Sequence, residues 1–252
     1  MRILDNTYAS FVNLDHRKDR LDRMLATLKG AGLPASRTRG MLPHEVDVDP
    51  KRVEVMRNRT PGAIGCHFSQ VKIMETAHRL QRHAFVMEDD LVFCSDFQER
   101  MGMMDEFCSK YRWDILWLGG TFHVNPPHWH KGAPLRRDAE QTPDPHMMRT
   151  YGAFCTYAYI VNRESIPKVL TMLDEQLDRS IGIDYAMIQM QPHLMTFAFV
   201  PGCITQYDNQ SDIGKGITKF SGFSKLGPHW FQDKLGDFNP QTHNWHECRF
   251  RN

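Results

Sequence analysis

A chain of 252 residues, 41% hydrophobic and 24% charged, has enough apolar surface for one core or two closely packed ones, which excludes wholesale disorder. Its formal net charge of +1 supplies no global field for nucleic acid or an acidic membrane, so an anionic partner needs a local site. No segment approaches the roughly 18 uninterrupted apolar residues of a spanning helix, and the start, MRILDNTYASFVNLDHRKDR, reads as neither a secretory nor a mitochondrial leader.

Residues 8–14, β-branched and aromatic, predict a buried strand. Asp15 is then expected to cap a helix on which Leu21, Met24, Leu25 and Leu28 fall at helical spacing, with Gly30 and Gly32 ending it. A short strand around residues 36–39 leads into a polar loop. Thr60 as cap and Pro61 at the first helical position open a second helix, where Ile64, Phe68, Val71, Met74 and Ala77 form a core-facing stripe. Residues 83–87 read as an apolar strand running straight into Glu88-Asp89-Asp90. A helix over about 96–110 precedes a strand at 113–118, and this alternation predicts a parallel sheet with helices on its faces. Gly119-Gly120 opens a polar stretch of roughly 30 residues, punctuated by Pro126, Pro127, Pro134, Pro143 and Pro145, which reads as a loop. A strand at 151–161, a helix at about 164–177, a helix at 185–190 and a strand at 195–200 follow. Beyond Gly202 the periodicity is weak, and there is no internal repeat.

Three consecutive carboxylates at the end of a buried strand repel one another, and burial raises their pKa unless a cation neutralises them. Hard oxygen ligands suit Mg²⁺ or Mn²⁺, and ligands of open α/β sheets gather beyond the carboxyl ends of strands. The plainer alternative is a solvated acidic turn in which Asp89 or Asp90 caps the next helix. Asn13-Leu14-Asp15-His16-Arg17-Lys18-Asp19-Arg20 also follows a strand end, so backbone N–H groups and guanidinium forks there suit a nucleotide; its alternative is a solvated first helical turn. The six cysteines, Cys66, Cys94, Cys108, Cys155, Cys203 and Cys248, contain no CxxC pair, which argues against a disulfide framework or structural zinc and for a cytoplasmic protein. His123, His128 and His130, and the pair His243 and His246, lack cysteine partners at zinc spacing.

Taken together, these segments resemble glycosyltransferase family 25, the family of lipooligosaccharide and procollagen galactosyltransferases. The opening block at 13–20 is similar to its N-L-x-x-R-x-x-R motif, and Gly62-Ala63-Ile64-Gly65-Cys66-His67-Phe68-Ser69-Gln70 to its G-x-x-G-C-x-x-S-H helix. Residues 85–92 resemble its strand ending in E-D-D, and 113–119 its W-D-x-x-x-L-G strand. Tyr151-Gly152 through Ala158-Tyr159-Ile160-Val161, Gly182-Ile183-Asp184 and Ser211-Asp212-Ile213 resemble later blocks in the family's order. Gln70 departs from the pattern by standing where the family usually has histidine; it donates and accepts hydrogen bonds but does not titrate.

The resemblance implies an α/β, GT-A-like, Rossmann-type mixed sheet flanked by helices over residues 1–222, with 223–252 as an extension packed on it. It implies an inverting transfer of a hexose, galactose by family, from a UDP-sugar to a glycan or glycoconjugate hydroxyl, assisted by Mn²⁺ or Mg²⁺. Glu88 and Asp90 would hold the metal, and Asp184 would be the base, its alternative being a helix N-cap. Asn13, Leu14, Asp15, Arg17, Arg20, Ser69, Glu88, Asp89, Gln206, Ser211 and Asp212 would bind the donor. Two other readings stand beside this one. A nucleotidyltransferase would also use acidic metal ligands, but 13–20 lacks the glycine of a phosphate loop. A glycan-binding relative without catalysis would not need the triplet and Asp184 together. Trp230, Phe231, Phe238 and Trp245 read as a packed flap rather than a membrane anchor.

Overall fold

Strand β1 (Thr7–Asn13) pairs in parallel with β2 (Ser36–Arg39) on one side and with β3 (His83–Met87) on the other. The computed structural model describes residues 2–46, 61–122, 139–177, 182–200, 202–207, 209–213 and 217–218. Short β4 (Leu91–Phe93) follows β3, and β5 (Ile115–Trp117) is preceded by a helix. Two-residue β6 (Thr121–Phe122) comes next; then β7 (Ala139–Gln141) and β8 (Met147–Thr150) form an antiparallel pair. β9 (Ala153–Phe154) pairs with β6, and β10 (Ala158–Val161) runs antiparallel between β3 and β5. β11 (Thr196–Phe199) lies parallel to β5 and antiparallel to β8. β12 (Ile204–Gln206) pairs with β4, and β13 (Asn209–Gln210) with β14 (Ile217–Thr218). The main sheet has eight strands in the order β2-β1-β3-β10-β5-β11-β8-β7.

The sheet is covered on both faces, so its central strands read as continuous apolar runs. On one face α1 (Lys18–Gly30) and a later helix, Phe97–Lys110, bring Met24, Leu28, Phe97 and Phe107 against Phe11, Phe85 and Met87. Numbered in chain order, α2 is Pro61–Arg79, α3 the helix Phe97–Lys110, α4 Ile166–Leu177 and α5 Ile183–Met190. Helices α2, α4 and α5 cover the other face, packing Ile73, Met74, Val169 and Met187 on Ala84, Val86 and Trp117. Alternate residues of β3 thus serve opposite cores, as a period of two requires. This is a mixed α/β sheet flanked by helices, the Rossmann-like architecture expected from the sequence.

Several expectations change. Asp15 does not cap α1: Arg17 occupies the N-cap, with no side-chain capping bond, after a turn closed by Arg17 N–H to Leu14 carbonyl at 2.9 Å. The Asp15 carboxylate instead accepts from Arg37 at 2.5 Å and Arg39 at 2.7 Å on β2, and these guanidiniums hold its pKa below the usual value. The strand expected across 151–161 breaks at Cys155, whose φ of 72° lies in the left-handed region. Part of the stretch after Gly120 is sheet, since β7 and β8 extend the main sheet beside β11. Thr60, His123, His128, His130, Cys248, most of the loop at 123–138 and the segment 223–252, with its aromatic residues and His243 and His246, lie outside the described residues. Among the described residues no helix is long and apolar enough to cross a membrane.

The W-D block is scaffold. Buried Asp114 accepts from Met195 N–H at 2.6 Å and from the Ser165 hydroxyl, tying the start of β5 to the start of β11 and the entry to α4. Gly65 permits a close approach between elements: a Cβ there would meet the Met41 carbonyl oxygen at 2.2 Å. Because that obstacle is backbone, Gly65→Ala is expected to lower stability by about 1–3 kcal/mol in urea unfolding. Gly102→Ala, in open space on the solvent face of α3, should instead raise stability by up to about 1 kcal/mol. Equal shifts for the two variants would remove the contact from the explanation.

Candidate active site

The parallel strands β1 and β3 deliver their carboxyl ends, and reversed β10 its amino end, to one edge of the sheet. A cavity of about 580 Å³ opens there, lined by Asn13, Glu88, Asp90, Thr156, Asp184 and Gln206 among others. A larger hollow of about 900 Å³ lies at the opposite ends of β1 and β2, where Arg2 and Arg82 offset most of the charge of Asp5, Glu99 and Asp105. The smaller cavity gathers Glu88, Asp89, Asp90, Asp184 and Asp212 against Arg20, the stronger concentration of one sign, which marks it as the candidate site.

The triplet is not a solvated turn. Asp89 and Asp90 are 6% and 4% exposed, and Glu88 is half-buried. Each carboxylate is hydrogen-bonded, and Glu88 and Asp90 share one donor. Asp89 accepts from Arg20 Nη1 and from Asn13 Nδ2, both at 2.7 Å. Gln206 Nε2 donates to Glu88 Oε2 at 2.9 Å and to Asp90 Oδ1 at 2.8 Å, while Asn209 Nδ2 reaches Asp90 Oδ2 at 2.9 Å. The backbone of the same segment adds Tyr207 N–H to Asp90 carbonyl at 3.1 Å.

Electrostatics separate the three. Burial, then the like charges of Asp90, Asp184 and Asp89, pushes the Glu88 carboxyl well above its usual value. Burial also raises Asp89, against the pull of Arg20 and the Asn13 bond. Arg20 therefore serves Asp89 first; its Nη2 is engaged by the Asn209 side chain and, at 2.7 Å, the Gln210 carbonyl. Its Nε is buried with no partner among the described residues.

Asp184 stands at the second position of α5, after Gly182 as N-cap, so it is not the cap itself. Its Oδ1 accepts from Thr156 N–H at 2.8 Å and Thr156 Oγ1 at 2.9 Å, across the break in the strand at Cys155. Burial raises its pKa despite those two bonds. Oδ2 accepts no hydrogen bond from a described residue.

The remaining expected residues frame the cavity in different ways. Leu14 lines it, while Asp15 turns away to Arg37 and Arg39. Arg17 pairs with Asp19 and with Asp212, which also meets His16 at 3.3 Å, so the 13–20 block and the 211–213 block touch although 195 residues separate Arg17 from Asp212. Ser69 spends its hydroxyl inside the wall, donating to the Gly65 carbonyl at 2.6 Å and accepting from Met41 N–H at 2.8 Å. Ser211 lines the cavity and accepts from Ile213 N–H at 3.2 Å. Asn209 and Thr156 were not legible as site residues: both sit in stretches without periodicity, and only the long-range pairing exposes their roles. Among the described residues no three His, Cys, Asp or Glu side chains converge at metal-ligand spacing.

The sequence profile of glycosyltransferase family 25, described as an LPS biosynthesis protein, matches residues 9–187. No curated protein matches the chain. The matched span carries β1, the 62–70 helix, the acidic triplet and Asp184, while Gln206, Asn209 and Asp212 complete the cavity from beyond it. With the profile covering most of the chain and the fold in agreement, this protein belongs to glycosyltransferase family 25.

Proposed function

We propose that this glycosyltransferase moves a hexose, galactose by resemblance, from a UDP-sugar to a hydroxyl of a glycan or glycoconjugate, with inversion at the anomeric carbon. One observation carries the reading: the cavity wall holds two kinds of carboxylate. Glu88 and Asp90 share the amide of Gln206, whereas Asp184 stands apart with one oxygen bonded to Thr156.

In this reading Asp184 Oδ2 takes the acceptor hydroxyl proton as the acceptor oxygen bonds to the anomeric carbon. The bond from that carbon to the diphosphate breaks on the opposite face, and UDP departs with the electron pair. Asp184, made more basic by burial, suits the first role. Glu88 and Asp90 fit Mn²⁺ or Mg²⁺ by donor chemistry: they are hard oxygens in a pocket whose excess negative charge lifts Glu88. Such ions commonly take one or two protein carboxylates and complete their shell with water and substrate phosphate, so a full cage of side chains is not needed. When bound, the ion supplies neutralisation of the charge that develops on the departing diphosphate. Leu14 and Met41 line the part of the cavity proposed for the nucleoside, with Arg17 and Asp212 at its rim.

Asp184→Asn is expected to stay folded, bind UDP as before and lose transfer by at least ~100-fold. Wild-type kcat should fall as pH drops through a limb above the ordinary carboxylate range, because the Asp184 pKa is raised. Retention of most transfer by the variant removes Asp184 as base.

Glu88 gives a separate test by stability. Its folded pKa lies above the unfolded value, so the folded state binds the extra proton and stability is lost as pH rises from the ordinary value through the raised one. Glu88→Gln should therefore raise Tm at neutral pH by a few degrees (~1 kcal/mol or more) and leave it unchanged below the ordinary carboxylate range. Mn²⁺ should raise the wild-type Tm and have a smaller effect on the variant. Equal Mn²⁺ shifts in both would take Glu88 out of metal binding.

A further inference from the structure

Asp184 ends a line of hydrogen bonds that starts at Tyr159 on β10 and passes through Gln70 on α2. The Tyr159 hydroxyl donates to Gln70 Oε1 at 2.8 Å. Gln70 Nε2 donates to the Thr156 carbonyl at 3.2 Å and to Thr156 Oγ1 at 3.4 Å. Thr156 Oγ1 then donates to Asp184 Oδ1 at 2.9 Å. Tyr159 and Gln70 are fully buried, and Thr156 is 2% exposed.

The polarity of this line is fixed by elementary donor counting. A carbonyl only accepts, so the Thr156 carbonyl obliges Gln70 to present its NH₂ end toward Thr156 and its oxygen toward Tyr159. A threonine hydroxyl has one hydrogen. With that hydrogen given to the carboxylate, Thr156 Oγ1 can only accept from Gln70. Every donor along the chain therefore points toward Asp184, and such a chain favours the ionised carboxylate against its burial. A neutral amide at position 70 does this without adding a charge that would compete with the acidic cavity.

We infer that Gln70 and Thr156 are positioning residues that hold Asp184 ionised, with Oδ1 occupied and Oδ2 left for the reacting hydroxyl; the inference rests on the reading of Asp184 as the base. Thr156→Val keeps the shape and the backbone N–H bond but deletes the hydroxyl. Thr156→Ser restores it.

Two measurements on the full-length protein test this. The first follows the Asp184 carboxyl by ¹³C NMR titration, which needs neither donor nor acceptor. The titratable groups whose charges bear on Asp184 are Glu88, Cys66, Tyr159 and Tyr185, and these variants change none of them. The midpoint should move up in Thr156→Val and return in Thr156→Ser. The second follows transfer from UDP-galactose to lactose with Mn²⁺. Thr156→Val should lower kcat about tenfold at unchanged donor KM, Thr156→Ser should recover to within about twofold, and Gln70→Met should fall severalfold. Adding Gln70→Met to Thr156→Val should cost little more, because residues of one chain act as a unit. A Thr156→Val carboxyl that titrates with wild type overturns the inference, as does equal loss in the Ser and Val variants. Undiminished transfer by Asp184→Asn would instead sink the base reading and leave the titration to judge the chain.

Discussion

Four carboxylates, Glu88, Asp89, Asp90 and Asp184, share one edge of the sheet, and their mutual repulsion is the constraint around which the surrounding structure is arranged. In low-dielectric surroundings such a group raises its own pKa until it neutralises, unless each member receives donors of its own. The protein answers with three different solutions. Asp89 receives a guanidinium and an amide, and truncating one partner of such a buried pair typically costs about 3–5 kcal/mol. Asp90 receives amides from Gln206 and Asn209, with the Arg20 guanidinium further off at 3.5 Å. Asp184 receives a hydroxyl and a backbone N–H. Arg20 cancels charge on the Asp89 and Asp90 side of the cavity. At Asp184 the donors orient dipoles toward charge and leave the field in place.

Reversal of one strand makes this arrangement possible. If β10 ran with its neighbours, its amino end and Thr156 would lie on the far side of the sheet. Running antiparallel, it sets Thr156 one strand away from the end of β3, and Glu88 N–H bonds the Tyr157 carbonyl at 2.9 Å. The left-handed residue Cys155 then turns the chain so that its next backbone N–H faces α5. The acidic triplet and Thr156, which anchors Asp184 of α5, are in this way fixed at the ends of adjacent strands of one sheet.

What the sequence disclosed follows from how local each signal is. β3 was legible because burial on both faces forces an unbroken apolar run, and α2 because its stripe recurs over nearly four turns, of which Val71, Met74 and Ala77 reach the core while Ile64 and Phe68 do not. β7, β8 and β12 were not: they are three or four residues long, too short for a period to show, and they exist through their partners. Asp15 shows the opposite failure. A carboxylate ahead of a helix reads as a cap, but two arginines on β2 offer it stronger partners than a backbone N–H. In the cavity, the triplet, Asp184 and the arginines were legible as candidate residues, whereas which carboxylate each donor serves was not, because Gln206 and Asn209 act across more than a hundred residues of chain.

That separation has a consequence for how the protein comes into being. Gln206 follows Asp90 by 116 residues and Asn209 by 119, so the acids leave the ribosome long before the amides that hold them. Docking of β12 is equally late, and it depends on Gly119, where a Cβ would strike the Ile204 carbonyl oxygen at 2.1 Å. During vectorial synthesis the sheet from β1 to β10 therefore emerges with its acidic edge open and self-repelling. The nascent chain holds a scaffold before it holds a cavity, which closes only once β12 and β13 have been made.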